Sequence, residues 1–305
     1  MSNTINWIPF NDCLTVNEGE IIYKKEQSES KGFFENKSTG LTTIKSDRQF
    51  NEGEVSFDVE LSDLSVGVDL VLYWGSPLYI SFNGTTSAFG MRTLNQNSNL
   101  NLNANNSVAE IADKSSLQVG RKYSIKVTVK ASLARLFIDG VEILSLVHGS
   151  YKAPISFNFS GSGSATVSNI QVVDYKPKVF VVMQFTDQFN DLYNTVIKPV
   201  CEEAGLEALR ADDFYSNGLI INDIVNSIYE SSVIIADITP NNPNVYYEVG
   251  FAHASNKNVI LLCDREREKL PFDLSGFRTI FYSDSILGKD EVELNLRKHI
   301  HNIFP

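Results

Sequence analysis

Val179-Phe180-Val181-Val182-Met183 is an unbroken apolar run of strand length. A strand with one wet face would alternate polar and apolar residues, so this run needs apolar cover on both faces. That is the condition of a strand inside a parallel sheet flanked by helices. The residues that follow keep the same grammar. Gln188–Ala204 has helical periodicity and stops at Gly205, a residue suited to the left-handed position that ends a helix. Leu206–Arg210 reads as a second strand and Leu219–Glu230 as a helix whose stripe is Ile220, Ile221, Ile224, Val225 and Ile228. Val233-Ile234-Ile235-Ala236, ending on Asp237, is a third strand. Val245–Ser255 is helical, Val259–Cys263 and Thr279–Tyr282 are the last strands, and Glu291–Ile303 is a closing helix. Five strands alternating with helices predict a doubly wound parallel α/β sheet over residues 178–305.

Before residue 176 the period is different. Glu54–Leu61 places Val55, Phe57, Val59 and Leu61 on one face, and Tyr123–Val129 repeats the pattern with Lys126 and Thr128 outward. Ala134–Ile138, Asp139-Gly140 and Val141–Leu144 read as a hairpin, because Asp-Gly supplies the positive φ angles of a type I′ turn. Val68–Tyr73, Leu78–Phe82, Ile155–Phe159 and Ala165–Val173 are further strands, and Asn95–Asn106 reads as a loop. Many short strands without helices predict an all-β sandwich of jelly-roll type over residues 1–175. Lys176-Pro177-Lys178 is the seam. Two domains also suit 305 residues, more than one hydrophobic core usually serves.

Composition narrows the partners. The formal net charge is −11, which repels phosphate backbones, and no basic cluster offsets it, so no direct nucleic-acid contact is expected. Asp264–Lys269 alternates in sign and reads as a solvated loop. Cys13, Cys201 and Cys263 form no pair and no metal spacing with the histidines, so no metal site is expected. Neither a signal-peptide pattern nor a run of membrane-spanning length occurs, which predicts a cytoplasmic protein without a membrane partner. Triplets such as Asn36-Lys37-Ser38 are then chance matches to the glycosylation pattern.

In a doubly wound sheet, ligands bind beyond the carboxyl ends of the strands. The residues placed there are Gln184-Phe185, Arg210 to Asp213, Asp237, Thr239 to Glu248, and Pro271-Phe272-Asp273. Neither a G-x-G-x-x-G fingerprint nor a P-loop is present. The segment Asn242-Pro243-Asn244-Val245-Tyr246-Tyr247-Glu248 carries an Asn-Pro turn into a helix, capped by Asn242 or Asn244. Glu248 then falls in the first turns, where the helix dipole favours its ionised form. Gly250, Ala252 and Ala254 would let the helix lie tight on the sheet.

Phe180–Phe185, Arg210-Ala211-Asp212, Asp237-Ile238-Thr239, Asn242–His253 and Pro271–Leu274 resemble the TIR-like domains related to nucleoside 2-deoxyribosyltransferases. Gln184 departs from the TIR-like pattern, which more often has Pro. The resemblance implies a flavodoxin/TIR-like fold and gives Glu248 a role. In the transferases the Glu of Glu-x-Gly-x-Ala is the nucleophile at the anomeric carbon, and in TIR enzymes a helix Glu supports cleavage of the nicotinamide–ribose bond of NAD. Stabilising an oxocarbenium-like ribose is work for such a carboxylate. Around it, Asp212 and Asp237 suit ribose hydroxyls, Arg210 a phosphate, and Phe185 and Tyr247 the base. Asn244, Phe272 and Asp273 complete the expected substrate-binding set. The plainer readings are a turn ligand for Asp237, an ion pair with Asp212 or Asp213 for Arg210, and simple packing for His253.

The strand order before the seam resembles the concanavalin-like, laminin-G-like sandwiches, which serve as carbohydrate binders, glycanases and protein-interaction modules. Asp58 and Glu60 lie on an outward strand face and read as solvated, and Trp7 and Trp74 as packing residues. The expected activity is an N-glycosidase acting on NAD or a related nucleotide, with NAD as substrate and no resident cofactor. The resemblance further implies a bacterial defence effector acting as a homo-oligomer. The sandwich would sense a carbohydrate, a nucleotide signal or a protein. The alternatives are a deoxyribosyltransferase of ordinary metabolism and a non-catalytic nucleotide-binding or assembly module.

Overall fold

A computed structural model of the chain describes residues 5–26, 41–72, 77–94, 105–148, 152–211, 220–267 and 269–304. Trp74 and Asp212 lie outside them. The chain divides into two compact units, Met1–Val129 with Leu133–Tyr175 and Lys130–Ser132 with Lys176–Pro305.

The first unit is built of strands. They are β1 Trp7–Pro9, β2 Leu14–Asn17, β3 Glu20–Lys25, β4 Thr42–Phe50, β5 Gly53–Leu61, β6 Gly67–Leu72 and β7 Leu78–Phe82. After them come β8 Phe89–Leu94, β9 Asn105–Ile111, β10 Lys122–Lys130, β11 Leu133–Ile138, β12 Val141–Val147, β13 Ala153–Ser160 and β14 Gly163–Asp174. They form two seven-stranded sheets ordered β1-β4-β13-β6-β7-β8-β9 and β12-β11-β10-β5-β14-β3-β2. Inward residues of both sheets make one core, from Ile21, Tyr23 and Phe57 to Phe157 and Phe159. Along β5 the alternation is strict, with Val55, Phe57, Val59 and Leu61 buried between half-exposed neighbours. The β11–β12 hairpin turns at Asp139 and Gly140, with φ of 50° and 83°, as a type I′ turn requires. Trp7 is a packing residue, its ring 5.5 Å from that of Phe157. Thr128, expected outward, is buried. The Asn-rich segment is not loop throughout, because Asn105 and Asn106 already pair with Leu94 and Thr93.

The second unit holds β15 Lys178–Val182, β16 Glu207–Arg210, β17 Val233–Asp237, β18 Asn258–Asp264 and β19 Thr279–Tyr282. All pair in parallel, in the order β16-β15-β17-β18-β19. The order reverses beside β15, which opens a crevice at the strand ends. The apolar run of β15 has the two-sided cover it demands. Val179, Val181 and Met183 pack with Phe189, Tyr193, Val292 and Leu296. Phe180 and Val182 pack with Ile228, Val245, Val249 and Ala252.

The helices are α1 Asp187–Leu192, α2 Lys198–Glu203, α3 Ile220–Glu230, α4 Pro243–Ala254 and α5 Ile286–Ile303. A wide π turn, Tyr193–Ile197, joins α1 to α2, and the Lys198 amide donates back to the Tyr193 carbonyl. Pro199 accounts for it: without an N–H and with a bulky ring, it cannot continue the α ladder from Thr195. The closing helix starts five residues earlier than Glu291, at a cap where Ser285 accepts from the Gly288 amide.

Gly250 and Ala254 are both exposed, so of the three small residues in α4 only Ala252 packs inward. A methyl group at Gly250 would meet nothing within 4 Å. Gly250→Ala is therefore expected to stabilise the second unit by about 0.5–1 kcal/mol through helix propensity. Thermal unfolding would read this as a small rise in Tm, and a fall would mean that the site is crowded.

Candidate functional site

Glu248 stands at the sixth position of α4, in its second turn. The helix begins as the sequence suggests, with Asn242 as cap accepting from the Asn244 amide at 3.0 Å and Pro243 in the first turn. Asn244 is thus exposed and its backbone is used in the cap. Helical spacing puts Glu248 on the flank shared with Phe251, beside the buried row Val245–Val249–Ala252. Phe251 packs edge-on against Tyr229 of α3, with ring centroids 5.4 Å apart. Glu248 therefore lies on the α3 side of its helix.

Its carboxyl is half-buried, and no described residue gives it a hydrogen bond or an ion pair. Burial alone pushes it up from the ordinary glutamate range to about 7. This corrects the expectation of a firmly ionised group. The dipole acts over the first turn, whereas Glu248 sits beyond it in a partly dry place where desolvation wins. At neutral pH the two protonation states are close to balance.

The neighbouring candidates fall into two groups. Arg210, only 6% exposed, ends β16. Its guanidinium donates to Asn190 Oδ1 at 2.9 Å and lies 4.4 Å from the Tyr193 ring centroid and 5.3 Å from that of Phe185. The π turn holds Tyr193 there, its hydroxyl donating to the Ala208 carbonyl at 3.2 Å. Phe185 keeps 52% of its surface exposed, so Arg210 and Phe185 form one buried-cation, open-ring pair. Tyr247 is 55% exposed next to Glu248. Phe272 and Asp273 are exposed in a short 3-10 turn, Phe272 at 91%.

Asp237 is the clear departure. It has no exposed surface. One oxygen accepts from the Thr239 amide at 2.9 Å and the other from the Tyr282 hydroxyl at 2.7 Å. Burial raises its pKa, opposed by hydrogen bonds from Thr239 and Tyr282. The carboxyl is sealed beneath the strand ends, as the turn-ligand reading has it, rather than presented to a ribose. His253 stacks on Phe277 with centroids 4.1 Å apart, a packed residue whose pKa burial lowers.

A second set of residues joins the exits of β17 and β18. Asp264 is buried at the end of β18, not solvated; its amide donates to Thr239 Oγ1 at 2.8 Å, and its carboxylate accepts from the Glu266 amide at 2.8 Å. Arg267 turns back from that segment to the β17–α4 loop. It donates to the carbonyls of Ile238 and Thr239 and, at 2.6 Å, to the Tyr246 hydroxyl. An arginine with so many carbonyl partners is a cross-link, although in sequence it is one charge of an alternating run.

Among the described residues no cluster of His, Cys, Asp or Glu is arranged to hold a metal ion, and no helix is long and apolar enough to cross a membrane.

No family model and no curated protein matches the chain. Among solved structures, the carbohydrate-binding module CBM66 from Bacillus subtilis is similar at 12% identity and a TM-score of 0.43, covering 56% of this chain and 96% of its own. A Bacillus licheniformis β-glucanase is similar at 10% identity and a TM-score of 0.41, covering 57% and 94%. A Bacillus subtilis protein of unknown function with a galectin-like fold is similar at 10% identity and a TM-score of 0.36, covering 56% and 90%.

Proposed function

We propose that the second unit is an N-glycosidase that cleaves the base–ribose bond of NAD or a related nucleotide, with Glu248 as its catalytic carboxylate. The observation that carries this reading is Glu248 itself, a half-buried carboxyl without a described partner at the strand-end side of a doubly wound sheet. Carboxyls kept dry and unpaired cost stability, and sites that tune a proton or a developing cation are where that cost is met. Breaking an N-glycosidic bond builds positive charge on the ribose ring, which a nearby carboxylate stabilises or captures. The TIR-like reading of Asn242–His253 points to the same residue.

One further observation favours NAD over an ordinary nucleoside. Nicotinamide leaves NAD as a neutral molecule and needs no proton, so a single carboxylate suffices. Asp237, sealed inside, is not available as a second one. Arg210, 6% exposed and engaged by Asn190, Tyr193 and Phe185, is as closed to a phosphate as Asp237 is to a ribose, while the open Phe185 ring keeps a face for an aromatic base. In this reading the first unit is the sensing or assembly module, and the active form is a homo-oligomer that serves in bacterial defence.

Incubation with NAD, NADP and deoxynucleosides, alone and under conditions that favour assembly, tests the proposal by the base released. Nicotinamide release that depends on Glu248 supports it. Release from deoxynucleosides alone would make the protein a deoxyribosyltransferase-type enzyme. Binding without release from any substrate would leave a non-catalytic nucleotide-binding module.

A further inference from the structure

The loop that delivers Glu248 is fastened from a direction that the proposed chemistry does not require. Arg267 reaches back from the exit of β18 and donates to two successive carbonyls of that loop, Ile238 and Thr239, at 3.1 Å in the second case. Its other terminal nitrogen donates to Tyr246 in the first turns of α4, and its Nε donates to the Lys269 carbonyl at 3.0 Å. One guanidinium thus ties two stretches of backbone, at Ile238-Thr239 and at Lys269, to a side chain of α4. The exits of β17 and β18 are also joined directly, through the Asp264 amide and Thr239 Oγ1 at 2.8 Å.

The placement on the helix matters. Tyr246 and Glu248 are two residues apart, which at about 100° per residue puts them on opposite flanks of α4. Arg267 therefore grips the flank facing away from Glu248. The shift of that carboxyl has burial as its cause, so the grip bears on the geometry of the helix. What it fixes is the entry path of the helix and its rotation about its own axis. A rotation of α4 by even part of one residue step would swing Glu248 by more than the fraction of an ångström that a reacting carboxylate tolerates.

We propose that Arg267 is a positioning residue for Glu248, acting with Tyr246 as a clamp that sets the rotation of α4 from its far side. The inference rests on the N-glycosidase reading of Glu248. Lysine cannot replace it, because a single ammonium lacks the planar fork that serves three carbonyls and a phenol together.

The test uses the full chain with NAD as substrate and compares Arg267→Ala, Arg267→Lys, Tyr246→Phe and the double variant Tyr246→Phe/Arg267→Ala. Arg267→Ala should lower kcat by about 10- to 100-fold and change KM by less than about threefold, because misplacement penalises the transition state more than binding. Arg267→Lys should fail to rescue. Tyr246→Phe should lower kcat by less than Arg267→Ala does, and the double variant should be no worse than Arg267→Ala alone, since both act through one contact. The pH midpoint of kcat should stay within about half a unit of the wild-type value. A kcat for Arg267→Ala within twofold of wild type, with Glu248→Gln inactive, overturns the clamp and leaves the N-glycosidase reading standing. Full activity in Glu248→Gln overturns that reading instead. If wild type releases no base, amide hydrogen exchange decides: the clamp predicts at least tenfold faster exchange over residues 238–247 in Arg267→Ala, and unchanged exchange overturns it.

Discussion

Glu248→Gln is expected to abolish base release and, above neutral pH, to raise the melting temperature of the second unit. The loss of rate should be on the order of 10³-fold or more, since the group that meets the developing ribose cation is removed. The gain in stability follows from the same burial. The carboxyl titrates at about 7 in the folded chain against an ordinary value of 4.5. Its folded pKa is the higher one, so folding takes up protons between those values. The favourable state, a neutral carboxyl in a half-dry place, is fully present below pH 4.5 and is lost as pH rises through 7. Charging the group in place costs up to about 3 kcal/mol, and less than that because water reaches part of it. Glutamine keeps the shape without the charge. Wild type and variant should therefore melt together near pH 4.5 and separate by several degrees at pH 8. A difference that does not change with pH would show that Glu248 is solvated. In the wild type, kcat should rise with pH through 7, as the ionised form accumulates. A falling limb there would make Glu248 an acid rather than the charge that stabilises ribose.

The fold was legible wherever burial leaves a period. Strand β15 announces itself because both its faces are covered, and β5 because one is. Strand β4 hides for a physical reason: two of its four buried positions, Thr42 and Ser46, are polar, and only Ile44 and Phe50 are apolar. The Ser46 hydroxyl is satisfied in the interior by the Ile155 carbonyl at 2.9 Å, a partner that no local window contains. The same limit governs the candidate site. Asn242-Pro243 marks the start of α4, since capping is a local interaction. The surroundings of Glu248 are not local, and its position in the helix carries no information on its burial. Arg267 was hidden for the opposite reason, because its neighbours in sequence suggest solvent while its partners Ile238, Thr239 and Tyr246 lie 21 to 29 residues away.

Asp237→Ala is expected to destabilise the second unit by about 3 kcal/mol or more, whereas Asp237→Asn should cost about 1. The carboxyl is wholly buried and ties the end of β17 to Tyr282, 45 residues further along the chain. Truncation to alanine leaves the Thr239 amide and the Tyr282 hydroxyl without their acceptor, and opens a small polar void. Asparagine can keep both links. Its carbonyl accepts from Thr239, and its amide donates to the Tyr282 oxygen while that hydroxyl turns to Thr239 Oγ1, already 3.4 Å away. Tyr282→Phe should cost about 1–3 kcal/mol by leaving one Asp237 oxygen unpaired. The double variant Asp237→Ala/Tyr282→Phe should be less destabilised than the sum of the two, because each single change strands the other's partner. Urea unfolding of the four proteins measures these differences. The outcome also bears on function. A carboxylate that held a ribose hydroxyl would face water in the free protein, and its removal would cost little stability. If Asp237→Ala unfolds within about 1 kcal/mol of wild type, the seal over Asp237 is open and a ligand role for it returns. A large loss confines substrate contact to groups on the open side, with Glu248 the only acid among the carboxyls at the end of β17 and the start of α4.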